Sequence, residues 1–172
     1  MPSSANKPVI IQVVGYKNTG KTTLVCRLTE RFKQAGYKVG TIKRDAHDFQ
    51  IDKPGTDTWK HQAAGADITA ITSSQRTAIM KAYSESLEQL IAQMPEADAI
   101  LIEGFKDAAY PKVVMIRTEA DHELLLSTKN PIAAALWPEA SSLASSSVQT
   151  IAIDQIDELF QFIMVFFKQH QS

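Results

Sequence analysis

Eight residues carry the strongest chemical signal in the chain. Gly15-Tyr16-Lys17-Asn18-Thr19-Gly20-Lys21-Thr22 fits the pattern G-x-x-x-x-G-K-[ST]. The two glycines let the backbone turn successive N–H groups inward around a phosphate. A helix starting at Thr22 would point its partial positive end at the same anion. Lys21 is the cation expected to reach the β- and γ-phosphates, in binding and in catalysis. The Thr22 hydroxyl is a hard oxygen ligand suited to Mg²⁺. Asn18, Thr19 and Thr23 complete the candidate phosphate loop. The competing reading is a glycine turn with a solvated lysine.

Such a site needs a second acid for the metal. Asp98-Ala-Ile-Leu-Ile-Glu103-Gly104 provides four apolar residues between two acids, as a buried strand beside the first one should. Ligands in open α/β sheets bind outside the carboxyl ends of strands, which selects Glu103 as metal or metal-water ligand over Asp98. The alternative is a solvated acid at a strand end. Gly104 is expected to let its backbone N–H approach the γ-phosphate. Asp45, just past the second strand candidate, would bind Mg²⁺ through water or orient an attacking water, or else pair with Arg44. His47 and Asp48 lie beside it, and a transition-metal site from Asp45, His47 and Asp48 is a remote alternative. Cys26 reads as a buried structural thiol. For the base, Thr128-Lys129-Asn130-Pro131 imitates half of a guanine-reading motif but has Pro where Asp is needed, and it precedes its strand. Trp137-Pro138-Glu139 sits at a carboxyl end and offers a base pocket with Glu139 as acceptor.

The elements that must position these groups follow from periodicity. Pro8–Val14 is a short β-branched run stopping at Gly15. Leu24, Leu28, Phe32 and Ala35 recur at helical spacing up to Gly36, and Lys38–Lys43 is a second strand. Strand, glycine turn, helix and strand make a βαβ unit with a right-handed crossover. Residues 44–56 lack a period and read as a long loop. Asp57–Gly65 is a short helix, and Asp67–Thr72 with Arg76–Met80 a hairpin joined to the sheet. Ser84–Met94 is an amphipathic helix. Further strands are expected at 97–102, 112–117, 132–136 and, as an edge, 148–153, with a Phe-rich helix at the end. The serine-rich stretch 141–147 reads as a surface loop. The sum is one domain over residues 1–172: an α/β three-layer sandwich of the P-loop NTPase type, its sheet mostly parallel with some antiparallel strands.

Composition bounds the function. With 18 Lys and Arg, 19 Asp and Glu and a net charge of −1, the chain lacks the basic field of a bulk nucleic-acid or anionic-membrane binder. One cysteine excludes an internal disulfide and a cysteine metal cluster. No apolar run approaches the ~18 residues of a membrane span, the first residues do not read as a signal peptide, and a cytoplasmic setting is expected.

Five segments in order resemble the MobB family of molybdopterin-guanine dinucleotide biosynthesis adaptor proteins. They are Gly15 to Leu24, Gly40-Thr-Ile-Lys-Arg-Asp45-Ala-His47-Asp48, Asp52-Lys53-Pro54-Gly55-Thr56-Asp57-Thr58, Ala64-Gly65-Ala66 and Glu103-Gly104-Phe105-Lys106. The resemblance implies GTP binding with Mg²⁺, weak intrinsic hydrolysis, a homodimer, and association with the MobA-like nucleotidyltransferase that joins GMP to the molybdenum-pterin. Where many relatives have paired histidines, this chain has only His47, which weakens roles resting on such a pair. The competing reading is a small-molecule kinase or ligase resembling dethiobiotin synthetase, with 44–56 as its lid.

Overall fold

The computed structural model describes residues 7–143 and 148–170; part of the serine-rich stretch therefore lies outside the described residues. In chain order the elements are β1 Val9–Val14, α1 Lys21–Gln34, β2 Val39–Lys43, α2 Asp57–Ala63, β3 Ile68–Thr72, β4 Thr77–Lys81, α3 Leu87–Ala92, β5 Ala99–Glu103, β6 Lys112–Ile116, α4 His122–Ser127, β7 Pro131–Leu136, β8 Gln149–Ala152 and α5 Ile156–His170. They form two compact units, residues 45–92 and the remainder.

The larger unit holds a six-stranded sheet in the order β2-β5-β1-β6-β7-β8, with every neighbouring pair parallel. Parallel strands need crossover connections, and α1 supplies the one from β1 to β2 and α4 the one from β6 to β7. Strand alternation sorts the sheet's two faces. Val9, Ile11 and Val13 of β1, Ala99 and Leu101 of β5, and Val113 and Met115 of β6 pack with Leu24, Leu28 and Phe32 of α1 and Leu159, Phe160 and Ile163 of α5. Val14, Val114, Ile116, Ala134 and Leu136 pack with Leu124 and Leu125 of α4. The same two-residue period puts Glu103 on the α1 face, in phase with Ala99 and Leu101.

Helix α1 stops where the sequence says it should. Gly36, at φ 88°, takes the left-handed conformation that a side chain resists. Its N–H donates to Lys33 O and the Tyr37 N–H to Phe32 O, while the Tyr37 and Phe32 rings meet edge-on at 5.5 Å. This is the double-bonded helix stop with its accompanying hydrophobic contact. Cys26 is exposed, contrary to expectation. The buried stripe of α1 runs through Leu24, Val25, Leu28 and Phe32, and residue 26 lies off it.

The smaller unit contains the hairpin, whose strands β3 and β4 form a separate antiparallel sheet pairing Ile68 with Lys81 and Thr72 with Thr77. The expected attachment of the hairpin to the main sheet is thus corrected. Helix α3 is shorter than its amphipathic pattern because a capping box fixes its start: Ser86 Oγ accepts the Gln89 N–H and Gln89 Oε1 accepts the Ser86 N–H.

Asp52 organises the start of α2. Its carboxylate accepts the Lys53 N–H and Thr56 hydroxyl, both at 2.9 Å, and the Gln62 amide at 3.0 Å. Thr56 in turn caps the helix by accepting the Trp59 N–H. A hydrogen bond from Thr58 is the main cause that holds the Asp52 carboxyl below its ordinary 3.8, with Thr56, Lys53 and Gln62 adding to it. A lowered folded-state pKa means that the stabilisation is complete above 3.8 and fades as pH falls through the lower value. NMR resonances of Thr56 and Gln62 are therefore expected to titrate together at a midpoint below 3.8, and not to titrate there in Asp52→Asn. A midpoint at the ordinary value would refute this arrangement.

Candidate functional site

Residues 15–20 join the end of β1 to the first turn of α1. Gly15 is dictated by space: a Cβ there would lie 2.6 Å from Thr19 Oγ1 and 2.8 Å from Met115 Cβ. The buried Thr19 hydroxyl turns inward and donates to Tyr16 O at 2.9 Å, so this side chain shapes the loop. Lys21 Nζ donates to the same carbonyl at 2.7 Å. Burial pushes the Lys21 amine below its ordinary pKa, Glu103 holds it up and Lys43 pushes it down.

Thr22 Oγ1 donates to the two Glu103 carboxylate oxygens, at 2.9 and 3.0 Å. Glu103 is buried, and its other charged neighbour is Lys43, 3.9 Å away. Two hard oxygens at this separation suit adjacent positions of an octahedral Mg²⁺, whose cis ligands at 2.0–2.1 Å lie about 2.9 Å apart. Thr22 and Glu103 are the residues that would hold the ion. The expected strand direction holds: β5 pairs with β1, with Glu103 opposite Val13. Asp98, at the other end, accepts the Lys38 N–H at 2.7 Å. A cavity of about 320 Å³ opens here, lined by Asn18, Gly20, Lys21, Thr22, Thr23 and Glu103, with Lys17 and Lys43 at its sides. Three lysines facing one carboxylate give it the charge balance of an anion site.

Several expected placements differ. The Gly104 N–H donates to Val13 O at 3.1 Å, so that amide belongs to the backbone pairing beside β1 and is not turned toward a phosphate. Gly104 instead makes the turn out of β5, at φ 90°. Arg44 lays its guanidinium over the Phe105 ring at 5.5 Å. Asp45 opens the smaller unit, where its carboxylate accepts the His47 N–H at 3.2 Å. Among the described residues no group of three His, Cys, Asp or Glu side chains is placed to hold a metal, which removes the Asp45–His47–Asp48 alternative. Asn130, as its place before the strand implies, lies at the start of β7, its side chain donating to Ala109 O, at the end of the strand away from the phosphate loop.

Three side chains carry more than their sequence positions suggest. Gln12, buried in β1, donates from Nε2 to Gly104 O at 2.9 Å and to Phe105 O at 2.8 Å, fixing the turn after Glu103. A glutamine in an otherwise apolar strand was the available signal. Arg117 and Trp137, just past β6 and β7, each donate to a carbonyl of the phosphate loop. Nothing local in the sequence marks those contacts.

A parallel sheet with a glycine loop between its central strand and a helix, and a lysine, a threonine and an acid gathered there, define a P-loop NTPase-type fold. The family model for molybdopterin guanine dinucleotide synthesis protein B, MobB, matches residues 10–137, and the chain belongs to that family. The probable molybdopterin-guanine dinucleotide biosynthesis adapter protein of Bacillus subtilis is 40% identical over 120 residues, covering 67% of this chain and 69% of its own length. The Escherichia coli adapter protein is 31% identical over 163 residues, covering 90% and 91%. The crystal structure of Bacillus subtilis MobB superposes with a TM-score of 0.75 at 33% identity, covering 89% of this chain and 96% of that one.

Proposed function

We propose that this protein is a GTP-binding adapter in molybdopterin guanine dinucleotide biosynthesis that assists a nucleotidyltransferase attaching GMP to the molybdenum-pterin. The observation that carries the nucleotide part is the Thr22–Glu103 contact at the mouth of the glycine loop. A triphosphate would lie in the loop with Lys21 on its β- and γ-oxygens; Thr22 and Glu103 would hold Mg²⁺, which would neutralise charge there. The preference for guanine, a homodimeric state, a cytoplasmic setting and the MobA-like partner rest on family membership. No helix among the described residues is long and apolar enough to cross a membrane.

Slow hydrolysis fits the groups available. Arg44 lies over Phe105 and Arg117 is bonded to Asn18 O, and among the described residues that line the cavity there is no glutamine. Unassisted turnover of order 10⁻⁴ to 10⁻² per second is expected, against roughly 1–100 per second for a kinase given its acceptor. The test is GTP and ATP consumption by the pure protein, with and without a small-molecule extract and with a molybdenum-pterin nucleotidyltransferase. Acceleration by the nucleotidyltransferase alone supports the adapter. A jump of several orders of magnitude with the extract would replace it by the kinase.

A further inference from the structure

We propose that Arg117 and Trp137 are positioning residues that hold the phosphate loop in its binding shape before any ligand arrives. The inference rests on the reading of that loop as a phosphate site. Arg117 Nη1 donates to Asn18 O and Trp137 Nε1 to Thr19 O, each at 2.9 Å. These are consecutive carbonyls of the loop between β1 and α1.

Trans peptide planarity gives the contacts their meaning. In each peptide unit the C=O and the following N–H point in opposite directions. Pulling Asn18 O and Thr19 O outward therefore turns the Thr19 and Gly20 N–H groups the other way. Among the described residues neither N–H has a protein acceptor. Gly20 itself lines the cavity. Two backbone amides without a protein acceptor are a cost, and the two donors on the preceding carbonyls offset it by fixing the peptide planes. Asn18 sits at φ 62°, in the left-handed region that asparagine tolerates better than most side chains.

The two donors are themselves built in. The Arg117 guanidinium stacks over the Trp137 ring at 4.9 Å. The Asp121 carboxylate accepts the Arg117 and Thr118 N–H groups at 2.8 and 2.9 Å, fixing the backbone that carries the arginine. Trp137 is anchored by its own N–H on Ile116 O at 2.9 Å. The latch thus ties the loop between β1 and α1 to the ends of β6 and β7.

The test uses the full chain with GTP–Mg²⁺ and, separately, inorganic pyrophosphate as probes. Trp137→Phe keeps an aromatic ring, smaller than the indole, and removes the donor; Arg117→Met removes the other donor from an exposed position. Both are compared with wild type by calorimetry at about 0.5 M salt, where loss of an exposed charge is screened within a few ångströms. Each variant is expected to bind both probes roughly five- to tenfold more weakly, by the same factor for each, with thermal midpoint little changed. The Gly20 amide resonance of the ligand-free variants is expected to broaden. A structural role alone would lower the midpoint and leave affinity and the Gly20 resonance in place. Variants that bind both probes within twofold of wild type overturn the latch and leave the phosphate site standing. Wild type that binds neither probe overturns both. If Trp137→Phe fails to fold, Arg117→Met decides the outcome alone.

Discussion

Lys21→Ala is expected to weaken binding of GTP–Mg²⁺ by roughly 10- to 150-fold, the worth of one charge-assisted contact to phosphate. The fold should be untouched. The Lys21 amine donates to Tyr16 O, and that carbonyl keeps the Thr19 hydroxyl when the amine is gone. Calorimetry on a variant with wild-type circular dichroism measures the loss, and affinity within twofold of wild type would remove the phosphate-site assignment. The pH dependence has a definite sign. Burial lowers the amine's pKa from 10.5, and a bound polyphosphate would raise it again. Affinity is then constant below the lowered value and falls as pH rises through it.

Glu103→Gln separates the metal from the phosphate. An amide oxygen still accepts from Thr22 but is a poor ligand for a hard cation. Affinity for GTP with Mg²⁺ should drop at least tenfold, a magnitude usual for disturbed metal sites. With the ion chelated, the same variant should bind GTP as well as wild type or better, because a negative charge facing the phosphates has gone. Asp98→Asn, at the far end of the same strand, should change neither value. Equal Mg²⁺ dependence in all three proteins would refute the assignment of Glu103.

What the sequence disclosed follows from the range of the forces involved. The glycine loop, α1 with its stop at Gly36, and Glu103 at the end of a buried strand are set by local spacing and alternation, and each is legible within some ten residues. The hairpin is legible as a hairpin, but its separation from the main sheet is not, because pairing partners lie outside any local window. Cys26 was placed by its residue type, whereas the helical stripe through Leu24, Val25 and Leu28 leaves it exposed. Gly104 illustrates a different limit. Its position past Glu103 suggests a phosphate contact, yet its N–H is already committed to Val13 O. Arg117 and Trp137 reach backbone carbonyls 99 and 118 residues away; a carbonyl has no residue identity, so no pattern of side chains announces such a bond.

The strand order has a consequence for how the protein is made. β5 lies between β2 and β1, so the first two strands to leave the ribosome cannot pair with each other in the native sheet. Between the end of β2 at Lys43 and Glu103, 60 residues must be added. At about 5–20 residues per second this takes roughly 3–12 seconds. Throughout that interval the glycine loop and α1 exist without the strand that completes their sheet and without the carboxylate that faces Thr22. The separation itself is cheap in loop-closure entropy, since each doubling of a loop costs only about 0.6 kcal/mol. Its effect is on rate, because pairing over such distances slows folding. The nascent chain therefore carries β1 and β2 without their shared partner strand for seconds, and the phosphate loop takes its native surroundings only after residue 103 has been added.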